Sequence, residues 1–542
     1  MNEPLVVLTK QMSGVRFAIS WSSRLYVATF LVIVTSLLGC RDNSSDTSLS
    51  GGELYAVYCG SCHQLAGPTD LDKATWSDYI LPRMGWRLGY YRPEDNRNEL
   101  LANHPGLSQE EQAQLYPKEA LITEAEIQAI SDYVLSLAPE SLATAPVPSN
   151  LVEASISSLL TTENPHLEAA TSLSFRPIFS ELFVAPPSAT FVRFLDNEYL
   201  IADANKQSLY RFNAAHQLTA ELPVGEGMTD LEIDQAGNWF GCVIGSFSPT
   251  DEATGRVFGP QGQTLLSNLK RPVDLALADL NQNGTNELIV AEFGKQNGRL
   301  AWWEPSAQGP VAHNLANTAG ALRVIPVTKA NTDLVDLYAL FGQGDERIMR
   351  YNNQGGGEFE AELLFRFPPS YGSVSMDTLD WNGDGLLDLL VVNGDNADYP
   401  PIIKPYHGIR LLEQQPDASF VEAFFLPLPG AYAARAADLD QDGDLDLAAI
   451  SFFPDFSSPN PNSAVVFEQL ENQQFQAYRL PASERGRWIS MDLADFDHDG
   501  DLDILAGSLA FEPVPDHGQL KEWVEQGLLY LIWENTSSTP IF

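Results

Sequence analysis

Four times this chain returns to one ten-residue pattern, Asp-x-[Asp/Asn]-x-[Asp/Asn]-Gly-x-x-[Asp/Glu]-[Leu/Ile], with copies starting at Asp279, Asp380, Asp438 and Asp495. The copies offer Asp279, Asn281, Asn283 and Glu287; Asp380, Asn382, Asp384 and Asp388; Asp438, Asp440, Asp442 and Asp446; and Asp495, Asp497, Asp499 and Asp503. Side-chain oxygens at positions one, three, five and nine, a glycine at six for the sharp turn and a backbone carbonyl at seven can wrap one hard cation. Calcium is the natural occupant, about four ions in all. The competing reading is a set of solvated acidic turns without metal, because Asp, Asn and Gly favour turns anyway. Turn preference explains the residue types but not four returns in one register. Asp444, Asp501 and His498 fall at loop positions expected to point outward and stay outside the ligand set.

Each copy runs into a short apolar strand, at 288–291, 389–392, 447–450 and 504–507. An EF-hand would instead need Glu at position twelve, where the third copy has Ala449. Strand, acidic loop and strand together resemble the FG-GAP or VCBS repeat, as in the integrin propeller. Segments 191–203, 228–245 and 322–345 read as the same repeat with its loop lost. Seven units result, starting near 190, 228, 272, 321, 371, 431 and 486, and each spacing of 38 to 60 residues holds one four-stranded blade. The resemblance implies a seven-bladed β-propeller over 187–542 in which calcium is structural. Aromatic-rich runs 300–304 and 529–534 are expected as outer blade strands, the tail as ring closure, and the tryptophans as blade packing.

The second strong motif is Cys59-Gly60-Ser61-Cys62-His63. At C-x-x-C-H spacing two thiols form thioethers to one haem and the histidine ligates its iron. Residues 51–59 suit a short helix delivering the motif, and 123–137 an amphipathic one with Thr123 as N-cap, Glu126 completing a capping box, and Ile127, Ile130, Tyr133, Val134 and Leu137 on one face. Helices at both ends of a haem segment resemble a small all-α class I cytochrome c, here over 51–138. Met84, the only methionine from 40 to 150, is the expected sixth iron ligand. His104 and an open iron position are the alternatives.

Covalent haem of this type is built outside the bacterial cytoplasm, and the N-terminus reads as an export signal. Lys10, Arg16 and Arg24 precede the apolar run 25–38, which ends in Leu37-Leu38-Gly39-Cys40. This resembles a bacterial lipobox, implying a signal peptide over 1–39, lipidation of Cys40 and a polar tether over 40–50. A plain signal peptide or a single membrane anchor is the alternative. Arg41 after the lipid cysteine favours the outer membrane, facing the periplasm or cell surface. Of four cysteines, only Cys242 is then unassigned; it lies in an apolar run and reads as a buried inert thiol. A net charge of −41 argues against nucleic acid and against electrostatic binding to anionic lipid.

The chain thus divides into signal, tether, cytochrome domain, a linker and lead-in over 139–186, and propeller. The expected function is that of a membrane-tethered electron carrier whose propeller docks a redox partner protein or enzyme, or a polysaccharide. In that reading no residue is catalytic. The alternative is a haem-containing dehydrogenase oxidising a substrate at the propeller channel, where Arg435 or Asp492 could stand. Adhesion with the haem as sensor is a third reading.

Overall fold

The protein is described by a computed structural model over residues 49–143, 152–153, 173–397, 402–458, 461–470, 473–510 and 518–537. Cys40, the export signal and most of the tether lie outside the described residues. Among those residues no helix is long and apolar enough to cross a membrane.

Seven antiparallel sheets form a seven-bladed β-propeller. The inner strands are Ala189–Leu195, Met228–Ile233, Pro272–Ala278, Ala321–Thr328, Ser373–Leu379, Ala431–Ala437 and Trp488–Ala494, within a few residues of the starts read from sequence. Second strands such as Asp388–Asn393, Asp446–Ser451 and Asp503–Ser508 are buried at every position. Both of their faces pack on neighbouring blades, so alternation gives way to near-continuous apolar sequence.

Two strand assignments differ from the sequence reading. The aromatic strands Arg299–Glu304 and Tyr530–Asn535 are third strands, not outermost ones. The ring is closed by Phe175–Phe179, which pairs antiparallel with Tyr530–Asn535 as the outermost strand of blade seven. Those five residues fall in the stretch read as lead-in. The propeller therefore uses chain from both of its ends. Blade six also gains Val152–Glu153, parallel to Gln474–Arg479.

Carboxylates on the inner strands staple blade to blade. Asp230 accepts the Leu275 N–H at 2.9 Å, Asp274 accepts the Val324 N–H at 2.7 Å and Arg323 Nη1 at 2.6 Å, and Asp492 accepts the Phe194 N–H at 2.8 Å. Asp492 is thus held between blades seven and one.

Residues 50–138 carry short helices between a first helix, Gly51–Cys59, and a last, Glu124–Leu137. Ser50 with Glu53 and Thr123 with Glu126 form capping boxes, satisfying N–H groups that a helix start leaves open. Ile127, Ile130 and Val134 are buried against Leu54 and Tyr55, whereas Leu137 is 49% exposed. The two helices approach closely at Gly51, where a Cβ would stand 2.3 Å from the Ala129 carbonyl oxygen.

This helical segment sits on one rim of the propeller. Tyr406 donates to the Asp70 carbonyl at 2.8 Å, Arg87 to Gln296 at 3.2 Å, and Asn297 to Glu111 at 2.8 Å, while Ile402 packs on the apolar cluster of the helices. Every propeller residue in these contacts lies between a second and a third strand. The acidic loops connect first to second strands, which in an antiparallel blade turn at the opposite rim. Helices and acidic loops therefore occupy opposite faces.

Beside the Tyr406 contact lies a buried charged group of Glu346, Lys404, His407 and Arg410. Burial, then the Lys404 and Arg410 charges, hold His407 well below its usual range, and burial pushes Glu346 up to about 7. Above roughly pH 6.5 His407 is neutral folded or unfolded; below it only the unfolded chain takes up the proton, so stability falls on acidification by up to about 1.4 kcal/mol per pH unit. Glu346 acts oppositely, since the folded chain keeps a proton that the unfolded chain loses between its ordinary value and about 7, and its contribution falls as pH rises through that window. His407→Leu is expected to flatten the melting temperature between pH 7 and 5 relative to wild type, read by calorimetry; an unchanged slope contradicts a buried neutral histidine.

Candidate functional site

The four acidic loops share one backbone. Position four is left-handed in all, with φ of +63° at Gln282, +72° at Gly383, +64° at Gln441 and +62° at His498, and the position-six glycines Gly443 and Gly500 reach φ +99° and +101°. This curl turns side chains one, three and five inward. In blades six and seven it brings Asp438, Asp440 and Asp442, and Asp495, Asp497 and Asp499, together with one carboxylate oxygen from each within 4.8 Å of the others.

What those oxygens bond to separates the loops into two pairs. In blades three and five the position-one carboxylate is filled by the loop's own amides: Asp279 accepts from Asn283 and Gly284 at 3.0 and 2.8 Å, and Asp380 from Asp384 and Gly385 at 3.0 and 2.9 Å. In blades six and seven Asp438 Oδ1 and Asp495 Oδ1 are buried with no hydrogen-bond partner, although Asp438 accepts the Gly443 N–H at 3.1 Å on its other oxygen. A buried carboxylate oxygen without a donor is costly, and a hard cation supplies what it lacks. The residues of blades six and seven therefore fit calcium on two counts, donor chemistry and an orphaned buried oxygen. The two loops also touch, Gln441 Nε2 donating to the Gly500 carbonyl at 2.7 Å.

Position nine has a second task that the sequence does not reveal. Asp388, Asp446 and Asp503 each accept the N–H of loop position two, from Trp381, Leu439 and Phe496 at 2.9, 2.9 and 3.2 Å. Each also accepts an N–H from the third-strand edge, from Gln414, Gln469 and Asn535 at 2.9, 2.8 and 2.8 Å. Glu287 accepts from Leu280 at 2.8 Å and from the Asn281 amide at 3.0 Å. These carboxylates are buried staples whatever else they bind. Burial, together with loop carboxylates Asp440 and Asp444 or Asp497 and Asp501, pushes Asp446 and Asp503 up to about 7. In blade four, which has no acidic loop, the corresponding Asp336 is balanced by Arg350 at 2.7 Å and Lys329 at 3.4 Å.

Two residues excluded as outward-pointing turn inward. Asp501 is 2% exposed, and Asp444 is half-buried with Oδ1 shielded and without a hydrogen bond. The curl that gathers positions one, three and five also draws position seven against the third strand. His498 is exposed as expected.

On the same rim, blades three and four enclose an open cavity of about 270 Å³ lined by Asn281, Trp302, Glu304, His313, Gly357 and Glu358 among others. Trp302 is buried, stacked on His313 at 3.9 Å, and so packs the blade.

At the other face, Cys59 ends the first helix, half-buried, and Cys62 is exposed; both thiols are free. Burial, then the neighbouring Cys62, push the Cys59 thiol up to about 12. His63 Nδ1 stands 2.7 Å from the Gln64 carbonyl oxygen, and an Nδ1–H donating to that oxygen would leave Nε2 available to a metal. Cys59 packs, with Tyr58, Leu65, Ile80, Leu88 and Tyr90 among others, against the buried core of the helical segment. Met84 lies half-buried in the helix Leu81–Arg87. His104 faces the propeller, where burial, then Lys295 and Arg87, lower it to about 4, and its Nε2 meets the Tyr116 hydroxyl at 3.2 Å. Its place is the contact between helices and propeller. Cys242 is fully buried and its thiol is pushed well up by burial, as an inert thiol should be.

Sequence reasoning missed the contact residues. Asp251 accepts the N–H groups of Lys295, Gln296 and Asn297 at 3.2, 2.7 and 2.8 Å, and its own N–H meets the Pro105 carbonyl at 3.3 Å. Beside it Gly106, at φ +91°, leaves no room for a Cβ, which would come within 2.6 Å of the Asp251 carbonyl carbon. In sequence Asp251 is only a turn residue.

The FG-GAP-like repeat family matches residues 331–391, from blade four into blade five and across the loop at Asp380. Among solved structures the chain is similar to virginiamycin B lyase from Staphylococcus aureus, at 12% identity and TM-score 0.42 over 67% of this chain and 98% of that one. It is similar also to BBS1N in complex with ARL6DN, at 11% identity and TM-score 0.40 over 67% and 98%, and to the computationally designed Ika8 protein, at 11% and 0.36 over 64% and 96%. No curated protein matches the chain. A seven-bladed β-propeller with FG-GAP-like repeats fits a docking or binding platform.

Proposed function

We propose that the chain is an exported electron-transfer protein that holds one haem c on its helical segment and uses the calcium-stapled propeller to dock a redox partner protein or a polysaccharide. The observation that carries the reading is the Cys59-Gly60-Ser61-Cys62-His63 run at the end of the first helix, with both thiols free and His63 Nδ1 beside a backbone carbonyl. Cys59 and Cys62 would hold the haem covalently, His63 Nε2 would ligate its iron, and Met84 would supply the further ligand. A haem held this way supplies one-electron transfer, at a potential raised by thioether ligation. The helices of residues 51–138 form the small cytochrome c domain in this reading. Lipidated Cys40 tethers the protein to the membrane, the outer one in preference. The acidic rim, opposite the helices, is the face free to receive a partner.

The test is export-competent expression with haem maturation, followed by denaturing electrophoresis stained for haem. Wild type is expected to keep its haem through denaturation and Cys59→Ala/Cys62→Ala to lose all of it. Met84→Ala is expected to keep the haem, lower its potential and bind carbon monoxide when reduced. Wild-type protein without covalent haem overturns the reading.

A further inference from the structure

Each loop-bearing blade carries a glutamate on its third strand, one residue beyond the last paired positions, directly across from position nine. The pairs Leu288↔Trp303, Leu389↔Leu412, Leu447↔Phe467 and Ile504↔Trp533 set Glu304 opposite Glu287, Glu413 opposite Asp388, Glu468 opposite Asp446 and Glu534 opposite Asp503. Blades one and four lack the loop, and there the same place holds asparagine: Asn213 pairs with Glu198, and Asn352 stands across from Asp336 beside the pair Leu337↔Tyr351. A carboxylate thus accompanies the acidic loop in four blades, and an amide stands in its place in blades one and four.

Side chains directly opposite on antiparallel strands share a face, and like charges there are destabilising unless something positive lies between them. In blade three the Asn281 amide fills that role, donating to Glu287 Oε1 at 3.0 Å and to Glu304 Oε1 at 3.2 Å. In blade seven Glu534 is engaged by Arg176 of the closing strand. In blade six the cross-strand carboxylate Glu468 is 7% exposed and accepts the Tyr478 hydroxyl at 2.6 Å, while both oxygens of Asp446 serve backbone N–H groups.

We propose that the third-strand glutamates are positioning residues of the cation sites, supplying negative charge that the backbone-bonded position-nine carboxylate cannot give alone and tying an occupied loop to strand three. The role is strongest at Glu468, beside the loop whose Asp438 oxygen is buried without a donor. This rests on the calcium reading of the loops.

The test is Glu468→Gln in the full chain, which keeps an acceptor for Tyr478 but removes the charge. Calcium titration calorimetry is expected to show one of the tight sites weakened roughly tenfold, the range for groups that support metal ligands from behind. The melting temperature in chelator should be unchanged or higher, since a like-charge pair is relieved, whereas a purely structural glutamate would lower it. Equal calcium affinity in wild type and variant overturns this inference alone. A wild type that takes up no calcium overturns the calcium reading and the inference with it.

Discussion

Phe175→Ala is expected to cost about 3–5 kcal/mol, a large share of the roughly 5–15 kcal/mol that holds a folded chain together. Phe175 is fully buried in a cluster with Leu173, Trp488, Leu531 and Trp533, on the strand that closes the ring. Truncating it opens a cavity under two tryptophans and loosens the one strand of blade seven that, among the described residues, comes from before blade one. Phe179→Ala is the internal control: it lies on the same strand but is 37% exposed, against the Arg485 guanidinium, and is expected to cost about 1 kcal/mol or less. Urea unfolding followed by tryptophan fluorescence reads both. Equal midpoints for the two variants would mean that the closing strand does not hold the ring.

That strand also marks where the sequence stops being legible. Phe-Arg-Pro-Ile-Phe is short, carries a proline and pairs with residues some 355 positions away in the chain, so nothing local announces it. The seven inner strands were legible because each unit repeats its own start, even in the three blades without a loop. The loops were legible as a register of oxygens. Sequence does not say which oxygens the backbone takes first: Asp279 and Asp438 occupy the same position of the same pattern, yet one is filled by loop amides and the other keeps a buried oxygen without a donor. Blade five, with an aspartate at position five, closes on itself as blade three does, so the residue types at these positions do not announce the difference. The first helix was legible through its apolar spacing and the last through its capping box, whereas the contact with the propeller was not, because Asp251, Ile402 and Tyr406 acquire meaning only when distant loops meet.

If calcium fills the loops as proposed, its removal should act on two of them more than on four. Blades six and seven have three carboxylates converging at each site, where blade four has Asp336 balanced by Arg350 and Lys329; the arginine of blade seven, Arg176, is paired with Glu534 of the third strand. A cation binding only the folded state stabilises it by RT ln(1 + [L]/Kd), about 2.7 kcal/mol per site at a hundredfold excess over Kd, hence about 5 kcal/mol for two. At about 2 °C per kcal/mol for a domain this large, chelation is expected to lower the propeller's melting temperature by about 10 °C. Asp438→Asn/Asp495→Asn should reproduce most of that loss and leave little further response to chelator, whereas Asp279→Asn/Asp380→Asn should respond to chelator nearly as wild type does. Both pairs keep side-chain oxygens at position one, so the contrast isolates charge at the two kinds of loop. A melting temperature that ignores chelator in wild type would return the loops to acidic turns; a response lost only in Asp279→Asn/Asp380→Asn would place the cations in the blades whose amides already fill the loop, against the hydrogen bonding that distinguishes them.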